Sequence, residues 1–90
     1  MKGLLGRREL PPGEGLLLRP AGSIHMFFMR FPIDAVWVDE DLKVIGVSPE
    51  IAPWKVASWN GAKGVVELSA GEAARRGVQA GDRLFLRDSD

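Results

Sequence analysis

The stretch that most constrains the fold is residues 23–39, SIHMFFMRFPIDAVWVD, because its apolar residues do not fall on one side of a strand. Successive side chains of an extended chain point to opposite faces, and both faces of residues 24–31 are largely apolar, so both need to be covered. Pro32 has no backbone N–H, so we expect a bend or a sheet edge at Phe31-Pro32. A second strand is predicted at Ile33–Val38, with Ile33, Ala35 and Trp37 on one face and Asp34, Val36 and Val38 on the other.

The rest of the chain alternates short apolar runs with turn-forming residues, which is typical of antiparallel strands. The acidic turn Asp39-Glu40-Asp41 separates Ile33–Val38 from a second apolar run, Leu42–Val47, and this arrangement predicts a β-hairpin. Further strands are predicted at 15–19, 63–68 and 83–87, a strand or a loop at 54–59, an irregular loop at 48–53 where two prolines occur, and a short helical turn near 2–8.

One predicted helix has recognisable ends. Ser69 and Glu72 stand in the S-x-x-E spacing of a capping box, in which each side chain accepts a hydrogen bond from a backbone N–H of the first turn. Arginines near its carboxyl end suit the helix dipole, and Gly77 suits the residue after the helix. The sequence therefore predicts a helix at about 69–76, with Ser69 as its N-cap.

The predicted fold class is α+β, mainly β, within a single domain at 1–90. A chain of 90 residues can bury a modest core but not a large internal cavity. We expect a small antiparallel sheet that curls toward a barrel, because curling would protect strand edges and would explain strands that are apolar on both faces. One short helix packs beside it.

Composition excludes several classes of function. Lysine plus arginine and aspartate plus glutamate both number 12, so the net charge is zero and we expect no nucleic-acid partner. With no cysteine and one histidine, the chain can build neither a cysteine–zinc site nor a multi-histidine site, and we expect no metal and no cofactor. The first ten residues, MKGLLGRREL, are too polar for a signal peptide or membrane span, so we expect no membrane association and a cytoplasmic location.

The composition also resembles that of heat-adapted proteins. Asparagine and glutamine occur once each, threonine and tyrosine are absent, and arginine is more frequent than lysine. Few thermolabile residues are typical of thermophiles, although a GC-rich genome would skew the composition in the same direction.

An ordered series of motifs resembles the domain of unknown function 192 family. The series covers nearly the whole chain: Gly3–Arg7, Gly13–Leu17, Ile24–Asp39, Pro53-Trp54, Val66–Leu68, Ala70-Gly71, Gly77-Val78 and Gly81-Asp82. The resemblance implies a small β-rich fold. It implies no activity, because the function of that family is not established.

Three polar residues of the central stretch are candidates for chemistry. His25 and Asp34 could form an acid–base pair, in which a carboxylate orients an imidazole, but no nucleophile motif accompanies them. A structural role for His25 is favoured. Arg30 and Asp34 could form a buried ion pair across the Pro32 bend, so that removing either would destabilise the fold. Arg30 could instead hold an anionic ligand.

Apolar residues supply the other candidates. Trp54 and Trp59 flank a proline-containing loop and could form a platform for a sugar, a base or a peptide, or else seal the core. Among the large apolar residues at 26–31, some could line a groove or a dimer contact. The acidic turn at 39–41 is interpreted as solvated, because it lacks a calcium-loop pattern.

The sequence favours a non-catalytic binding module for a small molecule, a peptide or a protein, with a homodimer left open. Its surface would combine the 23–34 segment with the 53–59 loop, and the predicted ligand-binding residues are His25, Arg30, Trp54 and Trp59. The alternative is a small hydrolase-like or transferase-like enzyme that uses His25, Asp34 and Arg30. An enzyme needs these side chains to converge in an open cleft.

Overall fold

The computed structural model describes residues 15–26 and 30–85. The helical turn predicted near residues 2–8, the apolar residues at 27–29 and the end of the strand predicted at 83–87 lie outside the described residues.

Antiparallel strands make up most of the described chain. A four-stranded sheet has the strand order β1-β6-β3-β4, and a separate ribbon pairs β2 with β5. Mainly β structure with one short helix is confirmed, and the described strands form an open sheet with β1 and β4 at its edges. The elements are β1 (Gly15–Leu18), β2 (Ser23–His25), β3 (Ile33–Val38), β4 (Val44–Ile51), β5 (Val56–Ser58), β6 (Gly64–Ser69) and α1 (Glu72–Arg75).

Strand β3 is the centre of the molecule. All six of its residues are buried, and it pairs with β4 on one side and β6 on the other. Its alternating side chains contribute to two separate hydrophobic clusters, as the sequence predicted. The first cluster is built on Ile33, Ala35 and Trp37, and the second on Val36 and Val38.

Different elements cover the two faces of the sheet. Ile24 of β2 and Ala57 of β5 pack in the Trp37 cluster, so the ribbon lies over that face. Ala73 of α1 packs in the Val36 cluster, so the helix lies over the other. The four-stranded sheet is therefore the middle layer of the fold, which explains why a strand can be apolar on both faces.

The predicted hairpin is confirmed. β3 spans Ile33–Val38 as predicted, and its partner β4 begins at Val44. In the connecting turn, the Asp39 carboxylate accepts hydrogen bonds from the backbone N–H of Asp41 at 2.8 Å and of Lys43 at 2.9 Å. Asp39 thus stabilises the turn through its own neighbours, in the manner of an Asx-turn.

The irregular loop predicted at 48–53 is wrong, because β4 continues to Ile51. Proline is tolerated here because β4 is an edge strand, where a missing N–H need not interrupt the sheet. Ile33 pairs with Ile51 while Ala35 pairs with Ser48, so two residues of β4 lie opposite Asp34 alone. This β-bulge bends the strand at that point.

The predicted helix boundaries are also wrong, because α1 spans only Glu72–Arg75 and Ser69 is the last residue of β6. The N-cap residue is Gly71, whose φ of 87° lies in the left-handed region that glycine adopts readily. An S-x-x-E motif can cap a helix only if its serine is not part of a strand. Ser69 pairs with Ile33 in the sheet, so it cannot serve as the N-cap.

Residues 83–85, the last that the structure describes, form an extended segment and not a regular strand. Arg83 forms an isolated bridge with Lys43, and the Leu84 N–H donates to the Leu42 carbonyl at 2.9 Å. Residues 54–59, predicted as a strand or a loop, contain a turn followed by β5.

We predict that Ser48→Ala lowers the free energy of unfolding by about 1–3 kcal/mol. The Trp37 side chain is fully buried, and its indole Nε1–H donates to Ser48 Oγ at 2.9 Å. Without the hydroxyl, this buried donor would lose its acceptor. Urea denaturation would measure the loss.

Ser58→Ala is the matched control, because Ser58 is an exposed serine of another strand. Its effect should stay within about 0.5 kcal/mol. Equal effects of the two substitutions would contradict a stabilising role for the Trp37–Ser48 hydrogen bond.

Candidate functional site

The ribbon formed by β2 and β5 joins parts of the 23–34 segment and the 53–59 loop, the two segments predicted to form a binding surface. The Met26 N–H donates to the Lys55 carbonyl at 2.7 Å, and the Trp59 N–H donates to the Gly22 carbonyl at 3.1 Å. Residues 22–26 and 55–59 therefore lie side by side over their whole length.

One side of the ribbon faces solvent. His25 lies opposite Val56 and Ser23 lies opposite Ser58, and all four residues are exposed, whereas Ile24 is buried. The exposed fraction of Val56 is 65%, which is large for an aliphatic residue in a strand.

Trp54 extends this exposed surface at one end. Its backbone N–H donates to the carbonyl of Met26, the residue after His25, at 2.7 Å, and its exposed fraction is 58%. We call His25, Trp54 and Val56 the ribbon patch. The patch combines an indole, an aliphatic side chain and an imidazole that can donate and accept hydrogen bonds.

The backbone of Trp54 is in an unfavourable conformation. Its φ is 70°, in the left-handed region that costs a residue with a side chain roughly 1–2 kcal/mol. Glycine would adopt this conformation without that penalty. Trp54 therefore combines a largely exposed indole with a backbone conformation that glycine adopts more easily.

Trp59 has a different environment from Trp54. A Cβ added to Gly46 would come within 2.1 Å of the Trp59 indole, so this ring lies directly against the backbone of β4. The two tryptophans bond to opposite ends of β2, through Gly22 and Met26. They therefore do not form one shared platform, and Trp59 covers the sheet.

Asp34 lies on the other face of the sheet, and its environment differs from the predicted one. Its exposed fraction is 0%, and its carboxylate accepts three backbone hydrogen bonds. One oxygen, Oδ1, accepts from Glu50 at 2.8 Å and from Gly71 at 3.1 Å, and Oδ2 accepts from Ala73 at 2.9 Å. Asp34 thus connects the bulge of β4 to the start of α1.

The predicted ion pair between Arg30 and Asp34 is wrong. Arg30 is exposed, and the ion pairs within residues 15–26 and 30–85 join Glu72 to Arg75 and Arg76. Sequence proximity suggested Arg30, but backbone amides from two distant segments satisfy the carboxylate.

The predicted catalytic set does not converge. His25 lies on the outer side of the ribbon, which covers the Trp37 face of the sheet, whereas Asp34 bonds to the helix on the opposite face. The sheet therefore lies between the imidazole and the carboxylate. An acid–base pair needs hydrogen-bond distance between its members.

Surface charges at the helix form a small network of their own. Hydrogen bonds from Arg75 at 2.7 Å and Arg76 at 3.3 Å lower the pKa of Glu72. The hydrogen bond to Glu72 raises the pKa of Arg75, with a smaller contribution from the charge of Asp34. These exposed pairs contribute little to stability.

Glu67 is a second buried carboxyl group. It pairs with Ala35 in the sheet and points to the same face as Val65, away from α1. Its exposed fraction is 6%, and desolvation by burial raises the pKa of Glu67 above its ordinary value of 4.5.

The described residues offer no metal centre. No three histidine, aspartate or glutamate side chains cluster suitably within 15–26 and 30–85. The acidic turn uses Asp39 for its own backbone. A shallow depression beside that turn has charges of both signs and is lined by Arg19, Pro20, Asp39, Glu40 and Lys63.

Over the same described ranges, no helix is both long and apolar enough to cross a membrane.

The sequence profile of the domain of unknown function 192 family, "Uncharacterized ACR", matches residues 1–86. The chain belongs to this family. Comparison with curated protein sequences finds no match.

Two solved structures resemble this member of the domain of unknown function 192 family. A protein of unknown function from Novosphingobium aromaticivorans is 28% identical with a TM-score of 0.81; the match covers 90% of this chain and 63% of that one. A candidate transcription regulator from Sinorhizobium meliloti is 26% identical with a TM-score of 0.82, covering 90% and 68%. The chain thus spans under two thirds of the length of the Novosphingobium protein.

We predict that Glu67→Gln raises the melting temperature at neutral pH. Because burial raises the pKa of Glu67 in the folded state, the folded protein binds this proton more tightly than the unfolded chain does. Stability from this group is therefore greatest below the unfolded pKa, near the ordinary value of 4.5, and falls as pH rises through the folded pKa. A neutral amide removes that loss.

Thermal melts between pH 4 and pH 8, each about 1 unit apart, would measure the effect, and the gain should disappear at the acid end. Glu40→Gln is the control, because Glu40 is an exposed residue of the turn. A Glu67→Gln protein that melts below the parent at neutral pH would contradict the desolvation argument.

Proposed function

We propose that this protein is a non-catalytic binding module whose contact surface is the ribbon patch of His25, Trp54 and Val56. The observation that carries the proposal is Trp54, which is 58% exposed at a φ of 70°. Backbone strain of this kind is concentrated at functional sites, where the surrounding structure holds it in place.

The rest of the patch supports a binding role by its chemistry. Val56 supplies an exposed apolar surface beside the indole, and His25 supplies polar contacts directly across the strand pair. Apolar anchors combined with a few polar groups are typical of sites that bind small molecules or peptides. Trp59 fits this surface less well, because its ring packs against β4. Arg30 is exposed but lies outside residues 22–26 and 55–59 of the ribbon.

The enzyme alternative receives no support from the geometry. His25 and Asp34 lie on opposite sides of the sheet, and the Asp34 carboxylate is fully buried in hydrogen bonds to backbone amides. A proton acceptor closed off from solvent cannot reach a substrate in this conformation.

A nucleic-acid partner is not proposed, although one similar protein is named as a candidate transcription regulator. This chain has 12 basic and 12 acidic residues, whereas proteins that contact DNA usually carry a basic excess. The cytoplasmic location and the heat-adapted source stay predictions.

We predict that a defined panel of probes will contain a class that binds the ribbon patch. The panel comprises oligosaccharides, mononucleotides, short peptides and duplex DNA, added to isotope-labelled protein and followed by backbone amide NMR shifts. Saturable shifts should map to residues 22–26 and 54–59. Trp54→Ala should weaken that binding by about tenfold or more, because stacking on an indole is lost.

Phe85→Ala is the matched control, since Phe85 is an aromatic residue with an exposed fraction of 83% outside the ribbon. This variant should bind as the parent does, and thermal melts should show both variants folded. Shifts that map elsewhere, an unaffected Trp54→Ala variant, or no saturable binding in the panel would contradict the proposal. Salt-steep binding of duplex DNA would favour the nucleic-acid function instead.

A further inference from the structure

The outer edge of β5 offers backbone groups to another strand. Bonds from Met26 to Lys55 and from Trp59 to Gly22 identify the hydrogen-bonded pairs of the ribbon. In an antiparallel pair, hydrogen-bonded and non-hydrogen-bonded residues alternate. Ile24–Ala57 is therefore a hydrogen-bonded pair as well, whereas the intervening pairs Ser23–Ser58 and His25–Val56 are not.

Val56 and Ser58 belong to these intervening pairs, with His25 and Ser23 as their opposite residues. Their backbone N–H and C=O groups consequently point away from β2. Both residues are exposed, and Val56 has an exposed fraction of 65%. Within residues 15–26 and 30–85, no backbone hydrogen bond from another segment reaches these groups, so the outer edge of β5 offers two donors and two acceptors.

The outer edge of β4 is protected, in contrast to that of β5. On β4, the Val44 N–H donates to Asp82 at 2.7 Å, the Gly81 N–H donates to the Val44 carbonyl at 2.8 Å, and Pro49 removes a donor further along. Prolines, bulges and covering segments are the usual means of blocking edge pairing. β5 carries neither a charge nor a proline over its three residues.

We propose that β5 pairs antiparallel with β5 of a second copy of this chain, about a two-fold axis at Ala57. This register places Val56 of each copy opposite Ser58 of the other. The outward N–H and C=O groups of these residues then face each other. Four backbone hydrogen bonds form, two at each pair. The ribbons of the two copies join into one four-stranded sheet through an isologous interface.

The charges of the segment are compatible with this register. With the two-fold axis at Ala57, each residue lies opposite the residue equally far on the other side of position 57. Lys55 therefore lies opposite Trp59 of the second copy and not opposite another lysine. Trp54 falls opposite Asn60, so no like charges are paired. A lysine beside an indole is an attractive arrangement.

The proposed contact is small. Pairing of three-residue strands, with partial burial of Val56 and Trp54, stays well below the roughly 1,200 Å² of a stable interface. We therefore expect a weak, reversible dimer that forms as protein concentration rises from micromolar to millimolar.

Sedimentation equilibrium on the protein alone tests this proposal. The parent should show a monomer–dimer equilibrium, and Ser58→Lys should raise its dissociation constant by about tenfold or more, because lysine on an edge strand opposes pairing. Ser58→Pro, which removes an outward N–H and no N–H of the β2–β5 pairing, should weaken association in the same direction.

Ser23→Lys is the matched control, because Ser23 lies opposite Ser58 on the same exposed side but belongs to β2. It adds the same charge and should leave the equilibrium unchanged. A monomer over the whole concentration range, a Ser58→Lys variant that associates like the parent, or an equal effect of Ser23→Lys would overturn the proposal.

This inference deepens the proposed binding role, because it places a second contact on the same ribbon. The two tests remain distinguishable. Self-association is measured without any probe, and probe binding is measured in dilute protein, so either result can fail alone.

Discussion

The buried carboxylate of Asp34 is the interaction on which the arrangement of the layers depends. It lies in the central strand with no exposed surface, and it accepts backbone hydrogen bonds from Glu50, Gly71 and Ala73. Burying a carboxylate is costly unless its oxygens are satisfied. Here one side chain supplies acceptors to a bulge in the edge strand and to the first turn of the helix.

This arrangement explains how so short a helix can be part of the fold. α1 has four residues, and an isolated helix of that length is not stable in water. Asp34 accepts a hydrogen bond from one of its first-turn amides, and Ala73 packs in the Val36 cluster. The helix lies on one face of the sheet and the ribbon covers the other, and the outer side of that ribbon carries the proposed binding surface.

The sequence predicted the features that depend on local pattern. Period-two alternation assigned the two faces of Ile33–Val38 correctly, and the acidic turn located the hairpin. It failed where distant segments decide the outcome. The capping-box motif predicted Ser69 as the N-cap. Instead, the Ala73 N–H of the helix donates to the carboxylate of Asp34, 39 positions earlier in the chain.

The candidate site was predictable to a similar degree. Composition located the two segments that pair in the ribbon, but backbone conformation is not visible in a residue pattern, so the left-handed φ of Trp54 was not foreseen. Trp59 was indistinguishable from Trp54 by sequence, because only tertiary packing places its ring against Gly46. The prolines at 48–53 led to the wrong prediction of a loop for a related reason. Proline is excluded from central strands but not from edge strands, and the sequence does not show that β4 is an edge strand.

The most direct test of this account is the free energy of unfolding of Asp34→Asn beside that of Arg30→Ala, measured by urea denaturation. Asparagine keeps the shape of the side chain but replaces one acceptor oxygen with an NH₂ group, so a buried amide donor loses its partner. Asp34→Asn should lower the free energy of unfolding by about 1–3 kcal/mol or more. Arg30 is exposed, and its replacement should cost within about 0.5 kcal/mol. An Asp34→Asn protein as stable as the parent, or an equally large loss in Arg30→Ala, would contradict it.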